Sequence, residues 1–180
     1  MTIFTRLPRP ASQFAAVALL AASLLAAHAA AADEVLREAN IPLASAEKAA
    51  AAAVEKCLAD GYRVTAAVVD RNGTVRAQLR ADGAGPHTID SSRKKAYTAA
   101  SLRRATTDLA EMIGKTPALQ GLRDMNQDIL MLGGGLPIFV QNEFVGAIGV
   151  GGAPGTQFDD ACGSAGLERI GATAKPAPAQ

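Results

Sequence analysis

The chain has 180 residues, with 18 Lys+Arg against 17 Asp+Glu and two histidines. Such a balance creates no basic field, which excludes nucleic acid as the expected partner. Aromatic residues make up 4% with no Trp, so few rings are available to stack on a flat ligand.

Residues 1–32 read as a cleavable secretory signal peptide. Arg6 and Arg9 form a basic start, an apolar run extends from Phe14 to Ala27, and Ala27-His28-Ala29 with the alanines to Ala32 offers small residues for cleavage between about 29 and 32. The run of about 14 residues is shorter than the roughly 20 a membrane span needs. No later segment is long and apolar enough to span, so the mature chain is expected to be periplasmic or secreted, without a membrane span. Cleavage removes both arginines, leaving 16 cations against 17 anions. It also removes His28, so His87 is the one histidine of the mature chain. A metal site built from two histidines of one subunit is thereby excluded.

The remaining length suits one domain, residues 33–172, followed by a flexible tail at 173–180 rich in Pro and Ala. A first helix is predicted over Leu43–Asp60, where apolar residues recur every three or four positions between Pro42 and Gly61. Strands Arg63–Asp70 and Thr74–Arg80 flank Asn72-Gly73, a tight-turn pair. The loop Asp82–His87 leads to a helix over about Ile89–Leu102, then helical stretches at Thr106–Ile113 and Pro117–Met125. Strands are predicted at Ile129–Leu132, Pro137–Gln141 and Phe144–Val150, and a last helix at Phe158–Ile170, with Asp159 and Asp160 near its N-terminal dipole. Two hairpin groups separated by helices argue for an α/β fold with an antiparallel sheet and helices on both faces.

Fingerprints for dinucleotides, P-loop phosphates, zinc peptidases and the nucleophile elbow are all absent. Cys57 and Cys162 are the only cysteines. In an oxidising compartment an even count favours a disulfide over two buried thiols, provided the first and last helices lie side by side. His87 admits two readings, a solvated loop histidine or an axial ligand to haem iron or another metal. Arg93 and Lys94, in the cationic run Asp90–Tyr97, are either a solvated face or an anion site. The glycines of 133–135 and 146–152 mark close helix packing, subunit contact or ligand approach.

Five stretches in order resemble the GlcG/HbpS-like haem-binding family, whose domain also occurs in PduO-type corrinoid adenosyltransferases. They are Ala67–Gly73, Arg80–Ala84, Lys95–Ser101, Gly133–Ile138 and Val145–Gly152, with Asp159–Leu167 resembling the family's ending. The resemblance implies a profilin-like three-layer α/β/α sandwich with a five-stranded antiparallel sheet. It further implies homo-oligomers, octamers among them, and haem as cofactor, with links to haem or redox sensing. Three functions follow. The first is an exported haem-binding protein with His87 as axial ligand and Arg93 or Lys94 near the propionates. The second is an enzyme on a small organic acid or on haem, with Asp70, Asp90 and Arg93 the residues to examine. The third is an oligomeric assembly or sensory partner of a membrane sensor protein, with no ligand of its own.

Overall fold

The computed structural model describes residues 35–178; the signal peptide expected at 1–32 lies outside them. Ala39–Gln180 form one compact unit. In chain order this unit contains α1 (Leu43–Ala59), β1 (Thr65–Asp70), β2 (Val75–Arg80), α2 (His87–Leu102), α3 (Thr106–Lys115), a 3-10 turn (Pro117–Arg123), β3 (Gly135–Val140), β4 (Glu143–Gly151) and α4 (Thr156–Arg169). The strands form one antiparallel sheet in the order β2-β1-β4-β3. Among the described residues no helix is long and apolar enough to cross a membrane.

Local chemistry sets the boundaries. Both α1 and α4 end in a glycine with positive φ, Gly61 at 87° and Gly171 at 65°. In each case the next amide reaches back to the last turn: Tyr62 N–H donates to Cys57 at 2.8 Å, and Ala172 N–H to Leu167 at 3.0 Å. At the first hairpin Asp70 Oδ1 accepts the amides of Asn72 and Thr74, both at 3.0 Å. Gln141 and Asn142, with φ of 50° and 67°, make the two-residue turn between β3 and β4.

The sheet has four strands, which corrects the five expected. Ile129–Leu132 does not pair. The amide of Leu130 is taken by the Thr98 hydroxyl on α2 at 2.8 Å. Those of Ile129 and Leu132 close turns onto Asn126 and Leu130. With three of its four donors spent on turns and a helix side chain, the segment cannot sustain a ladder. The outer edge of β3 instead receives one bridge from Thr173, whose amide and carbonyl both pair with Phe139. Further along, the amide of Ala177 donates to Asn142 Oδ1 at 2.8 Å.

Helices cover both sheet faces. On one, the fully buried alanines Ala46, Ala49, Ala50 and Ala53 of α1 meet Ala66, Val68, Ile148 and Val150 of the sheet. Here α4 lies against α1 closely enough that a Cβ on Gly166 would stand 2.6 Å from the Ala49 carbonyl oxygen. Cys57 and Cys162, both fully buried, join these two helices in a disulfide with Cα atoms 5.6 Å apart. On the other face α2 presses on β4. A Cβ at Gly149 would stand 2.1 Å from the Ser92 carbonyl oxygen and 2.4 Å from the Ala96 nitrogen.

Candidate functional site

The loop from Ala81 to Pro86 turns the chain from β2 into α2. Ala84 N–H bonds to Ala81, and Thr88 N–H bonds to Gly85, each at 3.0 Å. The Thr88 hydroxyl donates to the Gly85 carbonyl at 2.6 Å and lies 2.6 Å from the buried Thr65 hydroxyl. His87 therefore opens α2 at a fixed point beside the first residue of β1. From there the helical period brings Ser91 and Lys95 onto the same face as His87.

A second loop, Gly152–Gly155, connects β4 to α4. Gly152 adopts φ of 129°, and a Cβ on it would lie 2.6 Å from the Arg63 carbonyl oxygen. Between this loop and α2 lies a cleft of about 330 Å³ lined by His87, Ser91, Lys95, Leu132, Gly151–Thr156 and Asp159.

Lys95 and Asp159 form the floor, each nearly completely buried. Lys95 Nζ donates to Asp159 Oδ2 at 2.8 Å and to the Val150 carbonyl at 2.9 Å. Asp159 Oδ1 accepts the Ala153 amide at 3.1 Å. Burial raises the Asp159 carboxyl above its ordinary range, while the charge of Lys95 and the hydrogen bonds oppose that rise. The amine fits because Gly134 has no side chain: a Cβ there would stand 2.9 Å from Lys95 Nζ and 2.8 Å from the Asp159 Cβ. Next to the pair, Asp160 accepts the Gly134 amide at 2.8 Å and the Thr107 hydroxyl. A lysine and a carboxylate so placed satisfy each other, since a lone buried charge would be strongly unfavourable.

The residues singled out from sequence separate in space. His87 lies on the cleft. Arg93 and Lys94 are not among its lining residues. Arg93 bonds Asp90 Oδ1 at 2.9 Å and Asp128 Oδ1 at 2.8 Å, and Lys94 lies 3.2 Å from Asp90 Oδ2. Their mutual attraction holds the Arg93 guanidinium above its ordinary value, with Asp128 the largest cause, and the Asp90 carboxyl below its own, with Arg93 the largest cause. Asp70 serves the first turn. Among the described residues no group of three or more His, Cys, Asp or Glu could hold a metal ion.

Sequence reasoning missed Ser91, Lys95, Thr156 and Asp159 as cleft residues. The signal was present in the four-residue steps from His87 to Ser91 to Lys95. Lys95 sits in the same cationic run as Arg93 and Lys94, but successive helical residues point in different directions, so the run as a whole does not share one face.

A protein-family model described as haem degrading protein HbpS-like matches residues 41–168. The crystal structure of a double mutant of HbpS from Streptomyces reticuli is 40% identical, has a TM-score of 0.70, and aligns over 76% of this chain and 90% of that one. The structure of ORFY from Klebsiella pneumoniae is 31% identical with a TM-score of 0.72, over 78% of this chain and 97% of its own. GlcG from Escherichia coli K12 is 33% identical over 102 residues, which is 56% of this chain and 72% of GlcG. A match spanning both helical layers, the whole sheet and the cleft means that this chain belongs to the HbpS-like family.

Proposed function

We propose that this chain is an exported haem-binding protein that holds haem at the cleft beside His87 and serves haem or redox sensing, or haem handling. The observation that carries the reading is its 40% identity to HbpS over nine-tenths of that protein's chain, within a family described by haem chemistry.

The residues present fit such a group. His87 offers an exposed imidazole at the cleft rim, and imidazole is a common axial ligand of haem iron. Leu132, 44% exposed, and Pro154 offer apolar surface beside it. The wall at Gly151, Gly152 and Gly155 carries no side chains that would block a flat ligand. When bound, haem supplies a redox-active iron and a strong visible absorption. The protein's part is to ligate, orient and partly shield it. At about 330 Å³ the cleft takes one edge of a porphyrin rather than enclosing it, so the outward face is left for solvent, a second subunit or a sensor protein. Homo-oligomer formation belongs to the same reading. The apolar side chains of Val75 and Leu79 on the edge strand β2 and of Ile89 on α2 are exposed by 40%, 41% and 45% and suit subunit contact.

Expression of the full chain in a Gram-negative host followed by fractionation tests the proposal. The expected product is periplasmic, begins between about residues 30 and 33, and carries a Soret band after haem supplementation. Cytoplasmic, uncleaved protein would overturn export, and colourless protein from haem-replete cells would overturn haem binding.

A further inference from the structure

We infer that haem lies along the His87–Ser91–Lys95 face of α2, with its iron at His87 and a carboxylate at Ser91, Lys95 and Thr156, and not at Arg93 or Lys94. This inference rests on the haem reading above and assigns the polar end of that same site.

Eight residues separate His87 from Lys95, about 12 Å along a helix. Both line one cleft, so α2 sets a distance between an iron ligand and a cation. Arg93 and Lys94 lie on another face of the helix, and their charges are already balanced by Asp90 and Asp128. Moving a ligand carboxylate to them would require breaking those contacts.

The inner end of the cleft holds donors with less to do. Lys95 Nζ has three protons and two protein acceptors, Asp159 Oδ2 and the Val150 carbonyl. A Cβ on Gly151 would stand 2.8 Å from the Ser91 Oγ and 3.7 Å from Lys95 Nζ, so the missing side chain keeps the approach to both open. Ser91 Oγ makes one long contact, 3.5 Å to the Thr88 carbonyl. The Thr156 hydroxyl has no hydrogen-bond partner among the described residues, and α4 begins at Thr156 without a side-chain cap. The amides of Phe158 and Asp159 are taken by the Gly155 carbonyl at 3.1 and 3.4 Å, and Gly155 and Thr156, where the helix opens, both line the cleft. Asp159 does not oppose an incoming anion strongly, because one of its oxygens faces Lys95 and the other the Ala153 amide.

The test compares ferric haem with its dimethyl ester, which keeps the iron and ring but lacks the carboxylates. Binding to the full mature chain is followed by the Soret band. The expected result is a His-ligated spectrum for both, with the ester bound at least about tenfold more weakly, as loss of a charge-assisted hydrogen bond requires. The variants Thr156→Val and Ser91→Ala should narrow the gap. Lys95→Met should narrow it further where the variant folds, and the comparison on the unaltered chain stands without it. Equal binding of haem and ester would overturn the inference while leaving haem binding intact. So would a gap abolished by Arg93→Gln with Lys94→Gln and unmoved by Thr156→Val. Failure of the unaltered chain to bind either compound would overturn the haem reading and the inference together.

Discussion

The two faces of the sheet are built on different principles. Beneath α1 and α4 the packing is apolar, alanine-rich and closed by the Cys57–Cys162 disulfide. Beneath α2 the apolar cluster is small, Val69, Ala96, Ala99, Ala100, Phe144 and Ala147. It is accompanied by buried polar groups: Thr65, Thr88, Ser92, Lys95 and Thr98. Buried polar groups contribute less stability than well-packed apolar ones and must all be satisfied. The first face thus secures the fold, whereas the second trades apolar burial for a placed amine, a row of hydroxyls and a cleft. The glycines make that trade possible, because Gly134, Gly149 and Gly151 let α2 and its lysine sit where side chains would stand.

The sharpest way to break this division is Gly149→Val. With the α2 backbone as near as 2.1 Å to the position of the added Cβ, the helix must lift from β4. A loss above about 3 kcal/mol, or no folded protein, is expected in urea denaturation. Replacing both cysteines by serine acts on the opposite face. The disulfide spans 105 residues of sequence, and its loss should cost about 4 kcal/mol, with the haem spectrum of the remaining folded protein unchanged. Lys95→Met leaves Asp159 buried without its cation and should cost about 3 kcal/mol, while Lys95→Met with Asp159→Leu should recover most of that loss. Both members of this series are read by chemical denaturation.

A smaller effect concerns acid titration. Because burial raises the Asp159 carboxyl above the ordinary 3.8, the native state holds this proton more tightly than the unfolded chain does. This group alone therefore lowers stability as pH rises from about 3.8 toward its native midpoint. The Asp159 carboxyl carbon, followed by NMR, should titrate above 3.8, and in a folded Lys95→Met variant higher still. The smallest effect belongs to Asp90→Asn. Asp90 itself is exposed and Arg93 keeps its bond to Asp128, so both stability and haem affinity should stay nearly unchanged. A large gain of affinity would return the carboxylate site to Arg93 and Lys94, because Asp90 competes with a ligand for both cations.

Much of the fold was legible because its devices are local. Apolar periodicity marked α1, and Asn72-Gly73 marked the first turn. Ile129–Leu132 misled because four apolar residues in a row are equally consistent with a covering segment. What decides between them is the Thr98 hydroxyl, distant in sequence, which takes the Leu130 amide. The disulfide could be expected from composition and compartment, but its geometry depends on α1 and α4 lying side by side. At the site, His87 was visible as the one histidine outside the signal peptide expected at 1–32. The Lys95–Asp159 pair was not, because 64 residues separate its members and sheet topology alone brings them together. Arg93 and Lys94 looked available only while Asp128 was out of view. A positively charged run says nothing about which charges have already been met by distant carboxylates.

The central claim, that His87 marks a haem site, meets its most direct test in ferric-haem titration of the mature chain and its His87→Ala variant side by side. The account predicts a saturable Soret shift for the unaltered chain, and for the variant a weaker complex with a spectrum lacking the imidazole ligand. Identical spectra and affinities in the two proteins would contradict it.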